Sequence, residues 1–328
     1  MRSFKTTVLA LAATLAASTS AFAVSGDLTL YTSQPNNDAQ ATIDAFMAKY
    51  PDVNVTFVRD GTTKIMARLR AELEAGQSPA DLLLIADGVT MEGMAADGHL
   101  MAYQDADVTA YDAGIQDPER QWFPTKLITT GIIYNTNAPM VPSSWKDLLS
   151  EEAKGQVRMP SPLTSGAALI HTATLTANLE QGWAYYQSLA DNGAQAAGGN
   201  GGVLRDVAGG EALYGMVVDF LPIREQAKGA PVGFVFPQEG VSAISEPVAI
   251  LSGTDNEEAA KAFVDFLISE EGQQLAAAQG YMPAHPAVTP PEGFPQLSEI
   301  TVMSFDAADA LANSEANKER FADIFGQN

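Results

Sequence analysis

Short apolar runs alternate with amphipathic segments in the N-terminal third of the chain. Residues 27–31 and 53–57 place apolar side chains at every second position, as half-buried strands do, and residues 38–50 and 62–76 place them at helical spacing. Residues 81–86 form a continuous apolar run, which is typical of a strand covered on both faces. This strand–helix–strand–helix–strand order predicts an α/β fold in which a mostly parallel sheet carries helices on both sides.

The same alternation returns after a loop-rich stretch and continues to the C-terminus. Strands are predicted at 131–135, 156–159, 212–219, 231–237 and 247–251. Helical segments are predicted at 165–179, 182–192, 202–208, 256–269 and 304–325. At 328 residues, the chain has room for two domains or lobes.

The first 23 residues have the features of a secretory signal peptide. Arg2 and Lys5 precede an apolar run at 8–17, and the sequence at 21–23 is Ala-Phe-Ala, a small-x-small cleavage pattern. The apolar run is too short to span a bilayer. We therefore expect cleavage after Ala23, export of the mature chain and a periplasmic location.

Charge and composition exclude several classes of function. The chain has 40 Asp and Glu against 18 Lys and Arg, a formal charge of −22, so a nucleic-acid backbone would be repelled. The absence of cysteine excludes thiol nucleophiles, thiolate metal sites and disulfides. The three histidines stand in no metal-binding or catalytic motif. The sequence therefore predicts no catalytic residue, no metal site and no cofactor, and we expect the protein not to be an enzyme.

Polar residues follow several predicted strands at the points where helices begin. Thr32 and Ser33 follow the first strand, residues 60–62 open the second helix, and residues 164–167 open another. Free backbone N–H groups at a helix start bind anions, and open α/β sheets bind ligands beyond the carboxyl ends of their strands. These junctions predict an anion site, with the alternative that the hydroxyl groups only cap their helices.

Short sequence segments between residues 27 and 287 occur in the same order and spacing in one protein family. They are 28–33, 145–149, 154–155, 161–162, 165–167, 186–193, 228–232, 258–267 and 271–272. On these segments the chain resembles the extracellular solute-binding proteins of ABC importers, in the group that includes the periplasmic ferric-ion-binding proteins.

The resemblance implies a two-lobed periplasmic binding protein fold of type II, with the ligand cleft between lobes that crossing strands join. Lobe one is expected at 24–128 and 240–300, and lobe two at 129–239 and 301–328. The lobes would close over a small-molecule ligand, and a membrane permease would recognise the closed form. We expect the chain to act as a monomer.

The sequence departs from the family at its iron ligands. Ferric-ion binders carry two adjacent tyrosines where residues 218–221 here read Val-Asp-Phe-Leu. The pair Tyr185 and Tyr186 lies elsewhere, inside a predicted helix where aromatic residues more often form core. A tyrosine-coordinated iron site is therefore predicted to be absent.

The anion-binding part of the family's site is matched. Asp219 would face this anion pocket and suit the amine of a zwitterion such as 2-aminoethylphosphonate, with Asp87 as a second candidate. Either carboxylate could equally be a helix cap or turn residue. The expected ligand-binding residues are Thr32, Ser33, Asp60, Gly61, Thr62, Asp87, Trp122, Thr164, Ser165, Gly166, Ala167, Asn200 and Asp219.

Three functions follow from this set. The favoured one is an importer receptor for a small organic oxyanion, a phosphonate or phosphate ester. The second is a ferric-iron receptor in which exogenous anions supply most of the ligands. The third is a periplasmic hydrolase with Asp87 or Asp219 as general base, which no sequence motif supports.

Overall fold

The computed structural model describes residues 24–196 and 198–326, so the predicted signal peptide lies outside the described residues. The strands are β1 Gly26–Thr32, β2 Val53–Arg59, β3 Leu82–Leu84, β4 Phe123–Pro124, β5 Ile128–Asn135, β6 Val157–Met159, β7 Gln195–Ala196, β8 Tyr214–Val218, β9 Val232–Val235, β10 Ser242–Ile244 and β11 Pro247–Ile250. The α-helices are α1 Asn36–Lys49, α2 Thr62–Glu74, α3 Gly88–Ala96, α4 Gly166–Asn178, α5 Trp183–Asp191, α6 Asn200–Gly209, α7 Phe220–Ala227, α8 Glu257–Ile268, α9 Glu270–Ala278, α10 Ala307–Ala312 and α11 Ser314–Phe325. Short 3₁₀ helices lie at Ala113–Ile115, Trp145–Leu149, Glu151–Ala153 and Leu297–Glu299. Across 24–196 and 198–326, no helix has both the length and the apolar character that crossing a bilayer requires.

The first lobe is built on a five-stranded sheet in the order β2-β1-β3-β11-β4. Strand β1 lies parallel to β2 and β3, and β11 lies antiparallel to β3 and β4. Leu82 and Leu84 pack with α1 and α8 on one face, whereas Leu83 and Ile85 pack with α2 and α3 on the other. The predicted strand–helix order and the strand covered on both faces are therefore confirmed.

The second lobe is built on a six-stranded sheet around β5. Its order is β10-β5-β8-β6-β7, and β9 also pairs with β5. Ile133 and Val217 pack with α6 on one face of this sheet, and Ile132 and Met216 pack with α5 and α11 on the other. Both lobes therefore have the sheet-between-helices arrangement that the alternating sequence pattern predicts.

Some helices were missed in the sequence, for identifiable physical reasons. The helix α3 contains glycine at its first and sixth positions, which weakens the helical pattern, and the side chain of Asp87 caps it by accepting a hydrogen bond from Thr90 N. The helix α7 carries Pro222 in its first turn, where proline is tolerated. The predicted helical segment 304–325 forms two helices, because the helical hydrogen bonding is interrupted at Asn313.

Two chain segments cross between the sheets and lie side by side. One joins β4 to β5 and the other joins β10 to β11. The N–H groups of Thr125 and Lys126 donate to Ser245 O at 3.2 and 3.3 Å, and Thr125 Oγ1 donates to Glu246 O at 2.7 Å. Lys126 Nζ lies 2.6 Å from Glu246 Oε2, and both side chains are less than 5% exposed. These are the crossing strands that join the two lobes, and a buried ion pair locks them together.

The C-terminal helices contact both lobes. The helix α10 packs on α3 of the first lobe, whereas α11 packs on α4 and α5 of the second. Ala310 is buried in a cluster that also contains Val89, and Phe321 is buried against Tyr186. The end of the described chain therefore contacts both lobes.

We predict that Lys126→Met lowers the free energy of unfolding by about 3–5 kcal/mol, because it leaves the carboxylate of Glu246 buried and unpaired. The double variant Lys126→Met/Glu246→Met should recover most of this loss. Urea denaturation measures both. As a control, Lys49→Met breaks an exposed ion pair with Glu271 and should change stability by less than about 1 kcal/mol. If Lys126→Met and Lys49→Met had equal stability, the expected cost of breaking the buried ion pair would be contradicted.

Candidate functional site

A cleft of about 760 Å³ lies between the two lobes. Its walls come from the ends of strands and the starts of helices in both sheets, at the positions where the sequence analysis expected a ligand. The expected residues that line it are Ser33, Asp60, Gly61, Thr62, Thr164, Ser165, Ala167 and Asn200.

Three helices begin at this cleft. Gly61 precedes α2, Ser165 precedes α4 and Gly199 precedes α6, and all three of these residues line the cleft. The N–H groups of the first two residues of each helix form no hydrogen bond with the described part of the chain. Ser165 Oγ accepts a hydrogen bond from Ala168 N at 3.3 Å, so its hydroxyl is also a helix cap. Together the helix starts present unpaired donors and positive dipole ends to one volume.

Side-chain amides and hydroxyls hold these helix starts in position. Asn200 Nδ2 donates to Ser165 Oγ at 3.3 Å, and Asn200 Oδ1 accepts from Val218 N at 3.2 Å. Thr164 Oγ1 lies 2.9 Å from Gly198 O, which places the glycine-rich loop before α6 against the start of α4. Asn200 therefore links the starts of α4 and α6 to the end of β8.

Cationic side chains line the cleft from both lobes, and the sequence analysis missed them. Arg59 and Lys64 come from the first lobe and Arg205 from the second. Arg59 Nε donates to Gln34 O at 2.8 Å, whereas the Arg205 guanidinium forms no hydrogen bond or ion pair with any residue that the structure describes. Arg59 and Lys64 flank the predicted helix start at 60–62, and Arg205 lies in the first turns of another predicted helix. Their closeness to these helix starts could have predicted them. Three acidic residues, Asp60, Asp206 and Glu246, line the cleft as well, so the lining is neutral overall in a chain of net charge −22. The positive dipole ends of the helix starts then favour an anion.

Two glycines lie where the lobes are in close contact. A Cβ on Gly61 would lie 2.8 Å from Thr164 O. A Cβ on Gly166 would lie 2.6 Å from Asp87 Cβ and 2.9 Å from Ala86 O. Gly61 has a φ of −59°, which any residue adopts, so the space and not the backbone conformation requires glycine there.

The two carboxylates that were expected to face an amine, Asp87 and Asp219, do not line the cleft. Asp219 Oδ2 accepts from Thr129 N and Oγ1 at 2.9 and 2.7 Å, and its Oδ1 accepts from Phe220 N at 2.7 Å. Burial raises the pKa of Asp219 to about 6, and burial also raises the pKa of Asp87, which caps α3 through Thr90. Their positions agree with the cap alternative and give no support to an amine partner or a general base.

Three other expected residues lie behind the cleft walls. Thr32 is fully buried, and its Oγ1 accepts from Gln34 N at 3.1 Å. Trp122 is buried in the core between α2, α3 and the first sheet, and its Nε1 donates to Glu92 at 3.1 Å. Gly166 lies between the lobes as described above. These residues support the walls and do not form the lining surface.

The remaining lining is mostly apolar, apart from the glycines and two acidic residues, Asp206 and the buried Glu246. Ile128, Val218, Phe220 and Leu221 face the cleft from the second lobe. Glu246, in the crossing segment, lines it as well although the residue is only 2% exposed. The cleft therefore combines an anion-attracting region with apolar surface and a polar group at the hinge.

The tyrosine pair lies in the core of the second lobe. Tyr185 and Tyr186 are at most 1% exposed, and Tyr185 Oη donates to Trp145 O at 2.7 Å. Among the described residues that line the cleft, none is tyrosine or histidine. No cluster of three or more His, Asp or Glu suited to a metal ion occurs within 24–196 and 198–326. The cleft thus offers oxyanion donors and no phenolate or imidazole ligands.

His171 lies on α4 beneath the cleft. Its Nδ1 is 2.9 Å from Ser242 Oγ on the crossing strand β10, and its ring packs against Trp145. Burial lowers the pKa of His171 to about 3. The imidazole is therefore neutral at physiological pH and joins α4 to the hinge.

Comparison with known proteins identifies relatives of one kind. The family described as bacterial extracellular solute-binding protein matches residues 77–311. An uncharacterised protein of Haemophilus influenzae is 32% identical over 284 residues, which cover 82% of this chain and 80% of that protein. Iron uptake protein A1 of a Synechocystis species is 23% identical over 78% of this chain and 74% of its own length. A putative 2-aminoethylphosphonate-binding periplasmic protein of Salmonella typhimurium is 24% identical, over 78% of this chain and 76% of that protein.

Solved structures share the fold over nearly the whole chain. The periplasmic binding protein AfuA of Actinobacillus pleuropneumoniae, with fructose-6-phosphate bound, has a TM-score of 0.84 at 23% identity and covers 92% of this chain and 99% of its own. Iron-bound HitA of Pseudomonas aeruginosa has a TM-score of 0.79 at 20% identity, with 91% and 99% coverage. At these identities the likeness shows the fold, a type II periplasmic binding protein fold.

The depressed pKa of His171 predicts a pH dependence of stability. The unfolded chain takes up a proton on this side chain below about pH 6.5, whereas the folded chain does not until about pH 3, so stability falls as pH falls through this window. Relative to His171→Phe, the wild type should lose roughly 2 kcal/mol between pH 6.5 and 5. Urea denaturation at both pH values measures this difference. An NMR titration that protonates His171 near pH 6 would contradict it.

Proposed function

The chain belongs to the family of bacterial extracellular solute-binding proteins, and we propose that it captures a small organic phosphate or phosphonate for an ABC importer. One observation carries this proposal. The starts of α2, α4 and α6 come from both lobes and open onto the same cleft, with N–H groups that have no acceptor among residues 24–196 and 198–326. An oxyanion with several oxygens is the chemical group that can accept from all of them at once.

The size and lining of the cleft support an organic ligand over a bare inorganic ion. A volume of about 760 Å³ falls in the range of small-molecule pockets, roughly 300–1,000 Å³. The apolar side chains of Ile128, Phe220 and Leu221 would contact a carbon skeleton. Fructose-6-phosphate in AfuA and the 2-aminoethylphosphonate named for the Salmonella relative are ligands of this kind.

The proposed mechanism is closure of the two lobes around the anion. Gly61, Thr62 and Arg59 would contact it from the first lobe, and Ser165, Asn200 and Arg205 from the second. Ligand contacts to both lobes stabilise the closed state, because only that state makes all of them together. The closed form would then be presented to the membrane permease. The lobe bounds expected from the sequence, 24–128 with 240–300 and 129–239 with 301–328, stay a proposal, with Ile128 and β10 assigned instead to the sheet of the second lobe. The protein would act as a periplasmic monomer cleaved after Ala23.

Two other functions have weaker support. Iron-binding relatives favour a ferric receptor, but the described lining offers no tyrosine or histidine, so exogenous anions would have to supply most of the coordination. A hydrolase would need a general base in the cleft. Asp87 and Asp219, the carboxylates considered for that role, are buried and hydrogen-bonded outside the lining.

The direct test is a thermal-shift screen of the mature protein after ligand removal by partial unfolding. The panel holds inorganic phosphate, 2-aminoethylphosphonate, fructose-6-phosphate and ferric citrate. At 100 times its Kd, a ligand stabilises the folded state by about 2.7 kcal/mol, which is a shift of several degrees. We expect the organic phosphate or phosphonate compounds to produce it. A shift with ferric citrate alone would instead support the iron receptor.

Arg205 provides a test of the anion pocket within the protein. Arg205→Gln removes an unpaired cation from the lining and should weaken binding of a responding phosphate compound by about 10–100-fold, the loss of one charge-assisted hydrogen bond. Isothermal titration calorimetry measures Kd. The control Arg70→Gln removes an exposed cation of α2 that does not line the cleft, and it should leave Kd within about threefold. If the two substitutions changed Kd equally, Arg205 would act only through long-range charge, and its proposed contact with the ligand would be contradicted.

Gly166 provides a test of closure. In Gly166→Ala, the new methyl group would collide with Ala86 O and Asp87 on the opposite lobe, so we expect at least a tenfold loss of affinity with little change in Tm. Gly88→Ala is the matched control, because Gly88 is also the first residue of a helix but has no atom within 4 Å of a Cβ. Small-angle X-ray scattering should show that ligand compacts the wild type and Gly88→Ala more than Gly166→Ala. If ligand compacted wild type, Gly88→Ala and Gly166→Ala equally, the proposed contact of Gly166 with Ala86 and Asp87 in the closed state would be contradicted.

A further inference from the structure

A buried polar group stands at the hinge end of the cleft. We call Gln34, Lys126 and Glu246 the hinge triad. Glu246 Oε2 lies 2.6 Å from Lys126 Nζ and 3.4 Å from Gln34 Nε2, whereas no described residue donates a hydrogen bond to its Oε1. Glu246 also lines the cleft. One carboxylate oxygen is thus held by the protein, and the other is left as an acceptor.

Gln34 carries a second acceptor without a donor. The residue is 1% exposed, and its Oε1 is buried with no hydrogen-bond partner among the described residues. The amide orientation is set by chemistry, because the NH₂ end must face the Glu246 carboxylate. Gln34 stands between Ser33 and Pro35, which both line the cleft. A buried acceptor without a donor is unfavourable and calls for an explanation beyond stability.

The backbone of Glu246 is strained in a way that supports a role in binding. Its φ is +36°, in the left-handed region that favours glycine. The carbonyl of Glu246 accepts a hydrogen bond from Thr125 Oγ1 at 2.7 Å, and the ion pair with Lys126 anchors its side chain. Strained residues persist where their surroundings hold them, and they concentrate at ligand clamps and active sites.

We infer that Glu246, positioned by Lys126 and Gln34, selects ligands whose carbon skeleton carries a hydroxyl or amino group. This inference rests on the proposed function, in which the helix starts bind the phosphate or phosphonate of the same ligand. Because Lys126 balances the charge of Glu246, the hinge triad offers hydrogen-bond acceptors without a net negative charge. Both neutral hydroxyl and ammonium donors can therefore satisfy it. A bare alkyl chain leaves it unsatisfied.

The selectivity arises because a ligand without a hydrogen-bond donor binds with a free-energy penalty. A site built to accept hydrogen bonds discriminates strongly against an analogue without the O–H or N–H group, because its own polar atoms are then desolvated and unpaired. The hinge position adds a second consequence. Glu246 lies in a segment that crosses between the lobes, so a donor bound there also favours the closed arrangement.

The experiment compares three isosteric ligands on the full mature protein by calorimetry. They are 2-aminoethylphosphonate, 2-hydroxyethylphosphonate and propylphosphonate, which differ only in the terminal amino, hydroxyl or methyl group. We expect wild type to bind the amino or the hydroxyl compound at least tenfold more tightly than propylphosphonate. Which of the two binds more tightly identifies the natural donor.

The variant Lys126→Met/Glu246→Met removes the ion pair without leaving a lone buried charge. It should reduce the preference for the donor-bearing compound over propylphosphonate to threefold or less. Gln34→Met should reduce the preference as well, because it removes a donor that positions the carboxylate of Glu246. The control Lys49→Met/Glu271→Met removes an exposed pair and should keep the full preference.

The outcomes separate this inference from the proposed function. If no phosphonate, and neither inorganic phosphate nor fructose-6-phosphate, binds to wild type, the proposed function fails. If wild type binds the three phosphonates equally, the oxyanion site stands and the hinge selectivity is overturned. It is also overturned if the hinge variants fold and retain the full preference of wild type.

Discussion

Backbone N–H groups at the first turn of a helix have no acceptor within that helix, and this constraint shapes the ligand cleft. In most proteins such groups face water or a capping side chain. Here α2, α4 and α6 begin at one cleft, and Gly61 and Gly199, which precede two of them, provide no side-chain cap. The chain thereby keeps donors available for an oxyanion instead of satisfying them internally. The other features of the site lie around these three helix starts: the cationic side chains, the glycines at the contact between lobes and the hydrogen bonds of the Asn200 side chain.

Charge distribution separates the site from the rest of the surface. A chain with formal charge −22 repels anions at long range, yet the cleft lining carries as many basic as acidic residues. The basic residues are Arg59, Lys64 and Arg205. The cationic groups come from both lobes, so bringing them together is most favourable when an anion lies between them. The same charge pattern couples ligand attraction to closure, and the crossing segments around Lys126 and Glu246 provide the shared hinge.

Much of the fold could be predicted because its determinants are local. Apolar periodicity identified β1, α1, β2, α2 and β3, and the run at 81–86 was correctly recognised as covered on both faces. Glycines in α3 and Pro222 in α7 obscured two helices whose formation depends on packing against their sheets. In the site, the starts of α2 and α4 were predicted from the small and polar residues at 60–62 and 164–167, whereas α6 begins at Asn200, two residues before its predicted start. The cations were missed because exposed arginine and lysine residues carry no periodic signal.

The sequence alone determined the alternating elements, the family resemblance and the positions where helices begin, since each depends on neighbours a few residues apart. Only the tertiary structure decided which polar side chains face the cleft. Asp219 turns inward to hold Thr129, 90 residues away, and Gln34 meets Glu246 across 212 residues of sequence. Such pairings depend on how strands order in a sheet and how two lobes meet. The secondary-structure propensities of neighbouring residues do not determine strand order or the contact between lobes. Burial and hydrogen bonding between distant segments determine them.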